Sequence, residues 1–313
     1  MNTITRCGSV LLTAALCLAT LGALHAQNAA PKDRNAVNNT HAASDMMADS
    51  PVKFPKDAPL PAKYPEDLRM HYYRAEKDYY LFDSPSRSLK QIAKIQAEMP
   101  KGQFTAPAND WKHLARTRRR LTEGGDLRIL ALGDSIVCDT MRSGWVAKLQ
   151  EAYPKAKIKS TVYVRGGGGC KHYRLENRVQ NYLLPWKPDL VLIGGISQGK
   201  DYDAIRDVIR QVRAARPDCE FLLASGVFGS VDPRSDAAMA QAEHSGTSDY
   251  GAGLQKLAAE LDCQYLDMTR PWMQYIRSSK LHPHLFYRDS VHANEYGEQI
   301  LSKILMAFFQ PAS

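Results

Sequence analysis

From Asp126 onward the sequence alternates short apolar segments with longer amphipathic ones, and this alternation limits the possible folds more than any other feature. Such apolar segments are typical of strands that are buried on both faces of a parallel sheet. The pattern therefore predicts an α/β fold around a parallel five-stranded sheet. The predicted strands are residues 127–132, 158–164, 190–193, 220–224 and 264–266, and the predicted helices are residues 143–153, 173–184, 202–215, 249–261 and 297–309.

The first 125 residues divide into three segments of different composition. Arg6 precedes an uncharged apolar run, and Ala26 follows it at a suitable cleavage position, so residues 1–26 predict a secretory signal peptide. Residues 27–64 lack apolar periodicity and predict a disordered linker. Residues 65–125 predict a helical extension that packs on the main domain, residues 126–313. We therefore expect an exported protein, periplasmic or extracellular, without stable membrane insertion.

The formal charge of +8 on 313 residues is a mild excess of basic groups. Such an excess aids solubility or favours an anionic partner such as an acidic glycan, and we favour solubility. The basic residues are densest at Arg116 and residues 118–120, which fall on a predicted helix. Such a run of charges on a helix usually marks a face that is exposed to solvent. No nucleic-acid partner is expected.

The tripeptide Gly133-Asp134-Ser135 follows the first predicted strand of the main domain. A serine on a tight turn between a strand and a helix is exposed at the sheet edge where ligands gather, and the helix N-terminus leaves N–H groups free to bind an oxyanion. The alternative is a turn in which Asp134 only caps the helix. Ser135 is therefore a candidate nucleophile that needs a base elsewhere in the chain.

A suitable base stands near the C-terminus, in Asp289-Ser290-Val291-His292. Histidine can remove the proton of a serine hydroxyl, and a carboxylate orients the imidazole and stabilises its charged form. Asp289 and His292 lie three residues apart before an apolar helix, so one short loop can supply both groups. The alternative is a helix-capping aspartate beside a solvated histidine.

Two glycine-rich segments follow the second and third predicted strands, at residues 165–170 and 194–198. Glycines let the backbone approach a reacting atom and present N–H groups to it, although a flexible loop or a phosphate cradle has a similar composition. Neither segment has a Walker pattern. No Cys-x-x-Cys pair exists, so we expect neither a metal site nor a cofactor.

Together these four blocks resemble the SGNH/GDSL hydrolase superfamily over about residues 126–308. The resemblance implies a flavodoxin-like three-layer α/β/α sandwich with Ser135 as nucleophile, His292 as base and Asp289 as its orienting acid. It also implies an oxyanion hole formed by the N–H of Ser135, a glycine after the second strand and an asparagine side chain after the third.

The sequence departs from the family at this third oxyanion donor. The family has an asparagine where this chain has Ser197, so the Ser197 hydroxyl or the Gln198 amide is expected to donate instead. Among the glycines, Gly167 or Gly168 is the expected backbone donor.

Four cysteines remain after removal of the predicted signal peptide, and an exported protein meets an oxidising environment. The resemblance places the blocks that contain Cys138 and Cys170 beside one active site. A Cys138–Cys170 disulfide is therefore expected to hold the glycine loop, with two separate thiols as the alternative.

The expected function is hydrolysis of carboxylic esters by an exported enzyme that removes acetyl or other short acyl groups from a small-molecule or polysaccharide substrate. Alternatives with the same three residues are a lipase or lysophospholipase and an O-acyltransferase. A non-catalytic glycan-binding module on the same fold is a further alternative, and the departure at Ser197 is its main support.

Overall fold

The computed structural model describes residues 71–76, 79–83, 87–164, 167–227, 232–237, 246–289 and 291–310. The predicted signal peptide and linker lie outside the described residues. The described residues therefore cover most of the main domain, residues 126–313, and most of the segment before it.

Five parallel strands form the centre of the sheet, which confirms the predicted α/β class. They are β3 (Gly125–Gly133), β4 (Ala156–Val164), β5 (Leu190–Ile193), β6 (Glu220–Ala224) and β7 (Gln264–Leu266). Their spatial order is β4-β3-β5-β6-β7, so β3 lies between β4 and β5. Gly133 at the end of β3 pairs with Val164 at the end of β4, which places the segments after these strands side by side.

An antiparallel hairpin replaces the first part of the predicted helical extension. Strands β1 (His71–Glu76) and β2 (Tyr79–Asp83) pair with each other, and β2 pairs antiparallel with β4. The expectation of helix over this part was wrong, because tyrosine-rich segments favour strands and the edge of β4 offers unpaired backbone groups. The rest of the extension contains the helices α1 (Leu89–Glu98) and α2 (Ala115–Glu123), as expected.

Helices cover both faces of the sheet. None of the helices in the described part of the chain is both long and apolar enough to cross a bilayer. The remaining helices are α3 (Ser135–Arg142), α4 (Trp145–Ala152), α5 (Cys170–Tyr173), a π-helix (Val179–Leu183), a 3₁₀ turn (Leu184–Trp186), α6 (Tyr202–Ala215), α7 (Gly246–Glu260), α8 (Thr269–Ser279), a second 3₁₀ turn (Pro283–Phe286) and α9 (Glu295–Phe308).

Alternating residues of β3 point into two separate apolar cores, as the two-residue period of a strand requires. Ile129 and Ala131 pack in the core beneath α3, α4, α8 and α9. Leu130 and Leu132 pack in the core beneath α6 and α7. The predicted three-layer α/β/α sandwich is thereby confirmed.

The two cores explain why the expected disulfide is absent. Cys138 is buried in the first core and Cys170 in the second, on opposite faces of the sheet. Both cysteines are free, as are Cys219 and Cys263. The predicted Cys138–Cys170 bond was therefore wrong, since two thiols separated by the sheet cannot reach the geometry of a disulfide.

We expect all four of these thiols to be unreactive in the folded protein. They are buried, and burial raises the pKa of the Cys138 thiol well above its usual range, which suppresses the reactive thiolate. Labelling with an aromatic disulfide reagent, followed by peptide mapping, should modify these positions only after denaturation. A reductant should leave the melting temperature unchanged. Rapid labelling of Cys138 in the native protein would contradict the burial.

Candidate active site

The candidate site lies where the parallel strands end. Ser135 is the first residue of α3, directly after the turn that ends β3. The N–H of Gly194, after β5, donates to the carbonyl of Leu132 at 3.0 Å, so the segments after these two strands touch. Gly133 is required at this crossing, because a Cβ atom there would lie 2.4 Å from the Gly194 carbonyl oxygen. The strand ends thus gather around Ser135, as expected for a sheet of this kind.

Ser135, His292 and Asp289 form one chain of hydrogen bonds. Nε2 of His292 lies 2.7 Å from Oγ of Ser135, and Nδ1 of the same ring lies 2.7 Å from Oδ2 of Asp289. A ring that donates from Nδ1 to the carboxylate leaves Nε2 to accept the serine proton. The structure therefore brings together the three residues that the sequence predicted, from positions more than 150 residues apart.

The carboxylate of Asp289 also fixes the backbone that carries the histidine. Its Oδ1 accepts the N–H groups of Val291 at 2.9 Å and His292 at 2.8 Å. Burial raises the pKa of the Asp289 carboxyl, but the hydrogen bond and charge of His292 and the two N–H donors outweigh it, and the pKa falls to about 2. Asp289 is therefore ionised at neutral pH and oriented toward the ring.

Asn294 anchors the same loop to the helix that follows it. Its side-chain oxygen caps α9 by accepting the N–H groups of Tyr296 and Gly297. Its side-chain nitrogen donates to the carbonyl of Leu285 at 2.8 Å. Tyr287 and Ala293 form an antiparallel bridge across the loop. These contacts hold His292 on a short closed segment between a 3₁₀ turn and a helix.

Asp134 makes the contacts that fix the turn before Ser135. Its carboxylate is almost completely buried, and Oδ1 accepts the N–H of Ile136 at 2.9 Å. Oδ2 accepts the N–H groups of Ile196 and Ser197, both at 2.7 Å. The helix cap that sequence analysis weighed as an alternative is therefore real, and it coexists with a partly exposed position for the serine. Asp134 also joins the β3–α3 turn to the loop after β5.

Backbone N–H groups without a partner occur at Ser135 and in the glycine loop. In the described part of the chain, the N–H groups of Ser135, Gly167 and Gly168 make no hydrogen bond. Gly167 is exposed and has a φ of 65°, in the left-handed region that favours glycine. The first two residues of this glycine loop, Arg165 and Gly166, lie outside the described residues. Gly167 and Gly168 as donors stay a prediction.

Two tryptophans that each follow a proline, Trp186 and Trp272, do not present an exposed ring at the strand ends. Trp272 is buried and donates to the hydroxyl of Tyr287 at 2.8 Å. Trp186 is exposed but precedes the amino end of β5, away from the strand ends that surround Ser135. No group of three or more His, Cys, Asp or Glu side chains within the described ranges is arranged to hold a metal ion.

Sequence reasoning missed Asp139 and Arg288, which lie beside the hydrogen-bonded triad. Asp139 is completely buried on α3, and an ion pair of 2.8 Å joins it to Arg288. The only signal for Asp139 was a charged residue on the buried face of a helix, four positions after Ser135. A charged residue on a buried face indicates that another residue must pair with Asp139, but the sequence does not identify that residue.

Comparison with known proteins identifies the family of the chain. The family model described as "GDSL-like Lipase/Acylhydrolase family" matches residues 131–300, more than half of the chain. The chain belongs to this family. Membership supports carboxylic-ester hydrolase activity. No curated protein matches the sequence significantly.

Several solved structures are similar to this GDSL family member in fold at low sequence identity. A GDSL-like lipase from Parabacteroides merdae has 14% identity and a TM-score of 0.47, over 59% of this chain and 96% of that one. A variant of an acetyl xylan esterase from Geobacillus stearothermophilus has 17% identity and a TM-score of 0.46, over 60% and 97%. A two-domain esterase active on acetylated mannans has 16% identity and a TM-score of 0.49, over 69% and 55%.

The departure of this GDSL sequence at Ser197 is accompanied by a different use of the next side chain. Gln198 is buried, its Oε1 accepts the N–H of Cys170 at 2.9 Å, and its Nε2 donates to the carbonyl of Gly194 at 2.9 Å. Ser197 meets Asp134 through its backbone N–H at 2.7 Å. The Gln198 side chain thus has other partners than an oxyanion, and it joins the glycine loop to the loop after β5.

The lowered pKa of Asp289 predicts a pH-dependent contribution to stability. The folded-state value of about 2 lies below the usual value of about 3.9, so the stabilising effect is fully present above about pH 4 and is lost as the pH falls through 2. The free energy of unfolding of the wild type should exceed that of Asp289→Asn by about 2 kcal/mol at pH 6.

This difference should largely vanish near pH 2, as measured by denaturant titration at both pH values. Asp218→Asn is the control, because Asp218 pairs with Arg116 on the surface and such pairs contribute little. A difference that stays constant between pH 6 and pH 2 would contradict the assigned role of the carboxylate.

Proposed function

We propose that this protein is a serine ester hydrolase whose catalytic triad is Ser135, His292 and Asp289. The observation that supports the proposal most is the continuous pair of 2.7 Å contacts from the serine hydroxyl through the imidazole to the carboxylate. This is the arrangement that a hydroxyl nucleophile requires, with the base in reach and the base itself oriented by a third group.

The proposed reaction begins when His292 Nε2 removes the proton of Ser135 Oγ as the oxygen attacks the ester carbonyl. The N–H groups of Ser135 and the glycine loop bind the resulting oxyanion, and Asp289 stabilises the imidazolium. The imidazolium then protonates the departing alcohol, leaving an acyl group on Ser135. Water, deprotonated by His292, attacks the acyl-enzyme and releases the acid.

We further propose that the acyl group is short and the alcohol is a carbohydrate. The large apolar side chains that are exposed in the described residues are few, and they lie on four different segments: Leu89, Leu175, Trp186 and Ile196. A long acyl chain needs a continuous apolar surface, so these residues favour an acetyl or similar group over a lipid. The carbohydrate alcohol rests on the resemblance to family members that deacetylate glycans.

Export is part of the same proposal and rests on the sequence of residues 1–26, with its basic start, apolar run and small residue at the cleavage position. An enzyme in the periplasm or outside the cell would meet polysaccharide esters directly. We therefore place the substrate outside the cytoplasm.

Substitution of the triad tests the reaction. Ser135→Ala and His292→Ala should each lower kcat by about a millionfold, and Asp289→Asn by about 10,000-fold or less, because the triad acts as a unit. The assay is hydrolysis of p-nitrophenyl acetate, longer p-nitrophenyl esters and acetylated oligosaccharides.

Ser160→Ala is a matched control, since Ser160 is an exposed serine on β4. An activated phosphonate should label Ser135 in the wild type and in this control. Wild-type turnover in Ser135→Ala would end the proposal, and a wild type that binds acetylated glycans without hydrolysing them or reacting with the phosphonate would favour the binding module.

A second test concerns the oxyanion hole. The proposed oxyanion donors are backbone N–H groups, and Ser197→Ala keeps the bond from the Ser197 N–H to Asp134. This variant should therefore lose much less than the factor of about 100 or more in kcat that follows removal of an oxyanion donor. Gln198→Leu removes both contacts that hold the glycine loop and should lower kcat by about 10-fold, with KM less affected. Gln180→Leu, at an exposed glutamine pair, is the control. A larger loss of kcat in Ser197→Ala than in Gln198→Leu would contradict these roles.

A further inference from the structure

A buried carboxylate lies one helical turn after the proposed nucleophile. Asp139 is the fifth residue of α3, which begins at Ser135, and its side chain is completely buried. A buried charge is costly unless other groups pair with it and hydrogen-bond to it. The partners of Asp139 therefore indicate what the residue does.

Both carboxylate oxygens of Asp139 face donors from the segment that carries the histidine. Oδ2 accepts the N–H of Ala293 at 3.0 Å, and Oδ1 lies 2.8 Å from Nη2 of Arg288. Ala293 is the residue directly after His292. The carboxylate on the helix of the serine thus holds the loop of the histidine.

Arg288 completes the connection from the other side. Its Nη1 donates to the carbonyl of Ala293 at 2.7 Å, so Asp139 and Arg288 together bind the N–H and the carbonyl of one residue. The backbone N–H of Arg288 also donates to the carbonyl of His292 at 3.0 Å. The backbone on the C-terminal side of the imidazole is therefore fixed relative to α3.

This connection sets the distance between two reacting atoms. Ser135 and Asp139 share one helix, so the position of Ala293 relative to Asp139 determines where the ring of His292 meets Ser135 Oγ. Proton transfer needs this contact within hydrogen-bond range, and a displacement of about 1 Å can cost about 100-fold in rate.

We propose that Asp139, together with Arg288, is a positioning residue that holds His292 at hydrogen-bonding distance from Ser135. This inference rests on the proposed triad and adds to it the residue pair that determines its geometry. Asp289 orients the ring from its Nδ1 side, whereas Asp139 and Arg288 place the loop as a whole against the helix of the nucleophile.

Asp139→Asn is the decisive variant, and Asp189→Asn is its matched control. Both oxygens of Asp139 face donors, so the amide nitrogen of asparagine must face a donor in either orientation. The same is true of Asp189, which is almost completely buried, accepts the N–H of Arg128 and pairs with the Arg128 guanidinium. Asp189 precedes β5 at the opposite end of the sheet from Ser135, so its substitution lowers stability without touching the histidine loop.

The expected result is a loss of kcat of about 100-fold in Asp139→Asn with KM nearly unchanged, and wild-type kcat in Asp189→Asn, at a temperature where circular dichroism shows both variants folded. The rate of phosphonate labelling at Ser135 should fall with kcat. The low-field proton resonance of the short His292 Nδ1–Asp289 hydrogen bond should shift or broaden only in Asp139→Asn.

If Asp139→Asn does not fold, Arg288→Lys tests the same inference. Lysine keeps the charge opposite Asp139 but cannot bind Asp139 and Ala293 through separate nitrogens, so kcat should fall while the melting temperature stays close to that of the wild type.

Wild-type kcat and an unchanged proton resonance in Asp139→Asn, with a lowered melting temperature, would overturn the inference and leave Asp139 a structural residue. A wild type that does not react with the phosphonate would instead refute the triad. Even then, the proton resonance would test whether Asp139 positions His292, because the resonance reports the geometry of the His292 ring and does not require turnover.

Discussion

The buried carboxylate of Asp134 is the interaction on which the rest of the site depends. It accepts three backbone N–H groups, one from the first turn of α3 and two from the loop after β5. These groups belong to segments that follow adjacent strands, and without the carboxylate their N–H donors would lose their partners. Gly195 permits the approach, since a Cβ atom there would lie 2.4 Å from Asp134 Oδ1. Ser135 directly follows Asp134 and is partly exposed.

The second half of the site comes from the other end of the domain and attaches to the same helix. The segment between the 3₁₀ turn and α9 is closed by its own backbone bridge and capped by Asn294, so it is a rigid unit. The position of this unit relative to α3 is fixed by the contacts of Asp139 and Arg288. One short helix therefore carries Ser135, the proposed nucleophile, and the attachment point for His292, its proposed base, and this arrangement sets the separation of the two groups.

Backbone groups and one amide side chain organise the side of the site where the oxyanion hole is proposed. The family places an asparagine after the third strand, whereas here the N–H of Ser197 is bound to Asp134 and Gln198 bridges two loops. The Gln198 amide connects Cys170 with Gly194 and takes over the role of loop clamp that the cysteines were expected to play. A hydrogen-bonded clamp does not depend on the redox state of the compartment, unlike a disulfide.

The sequence by itself determined the strand–helix alternation, the five parallel strands, and the identity of Ser135, Asp289 and His292 as one group. The alternation and the strands depend on local periodicity, and the position of Ser135 depends on the rule that strand ends of a parallel sheet share one edge. The grouping of Ser135 with Asp289 and His292 rests on their two motifs and the family that these resemble. Only the tertiary structure decided which face of the sheet each cysteine occupies, and Cys138 and Cys170 proved to lie on opposite faces. It also decided that β1 and β2 extend the sheet beside β4, and that Asp139 meets Ala293. The physical reason is that pairing between distant segments depends on which groups burial leaves without partners, and that is known only once the layers are packed together.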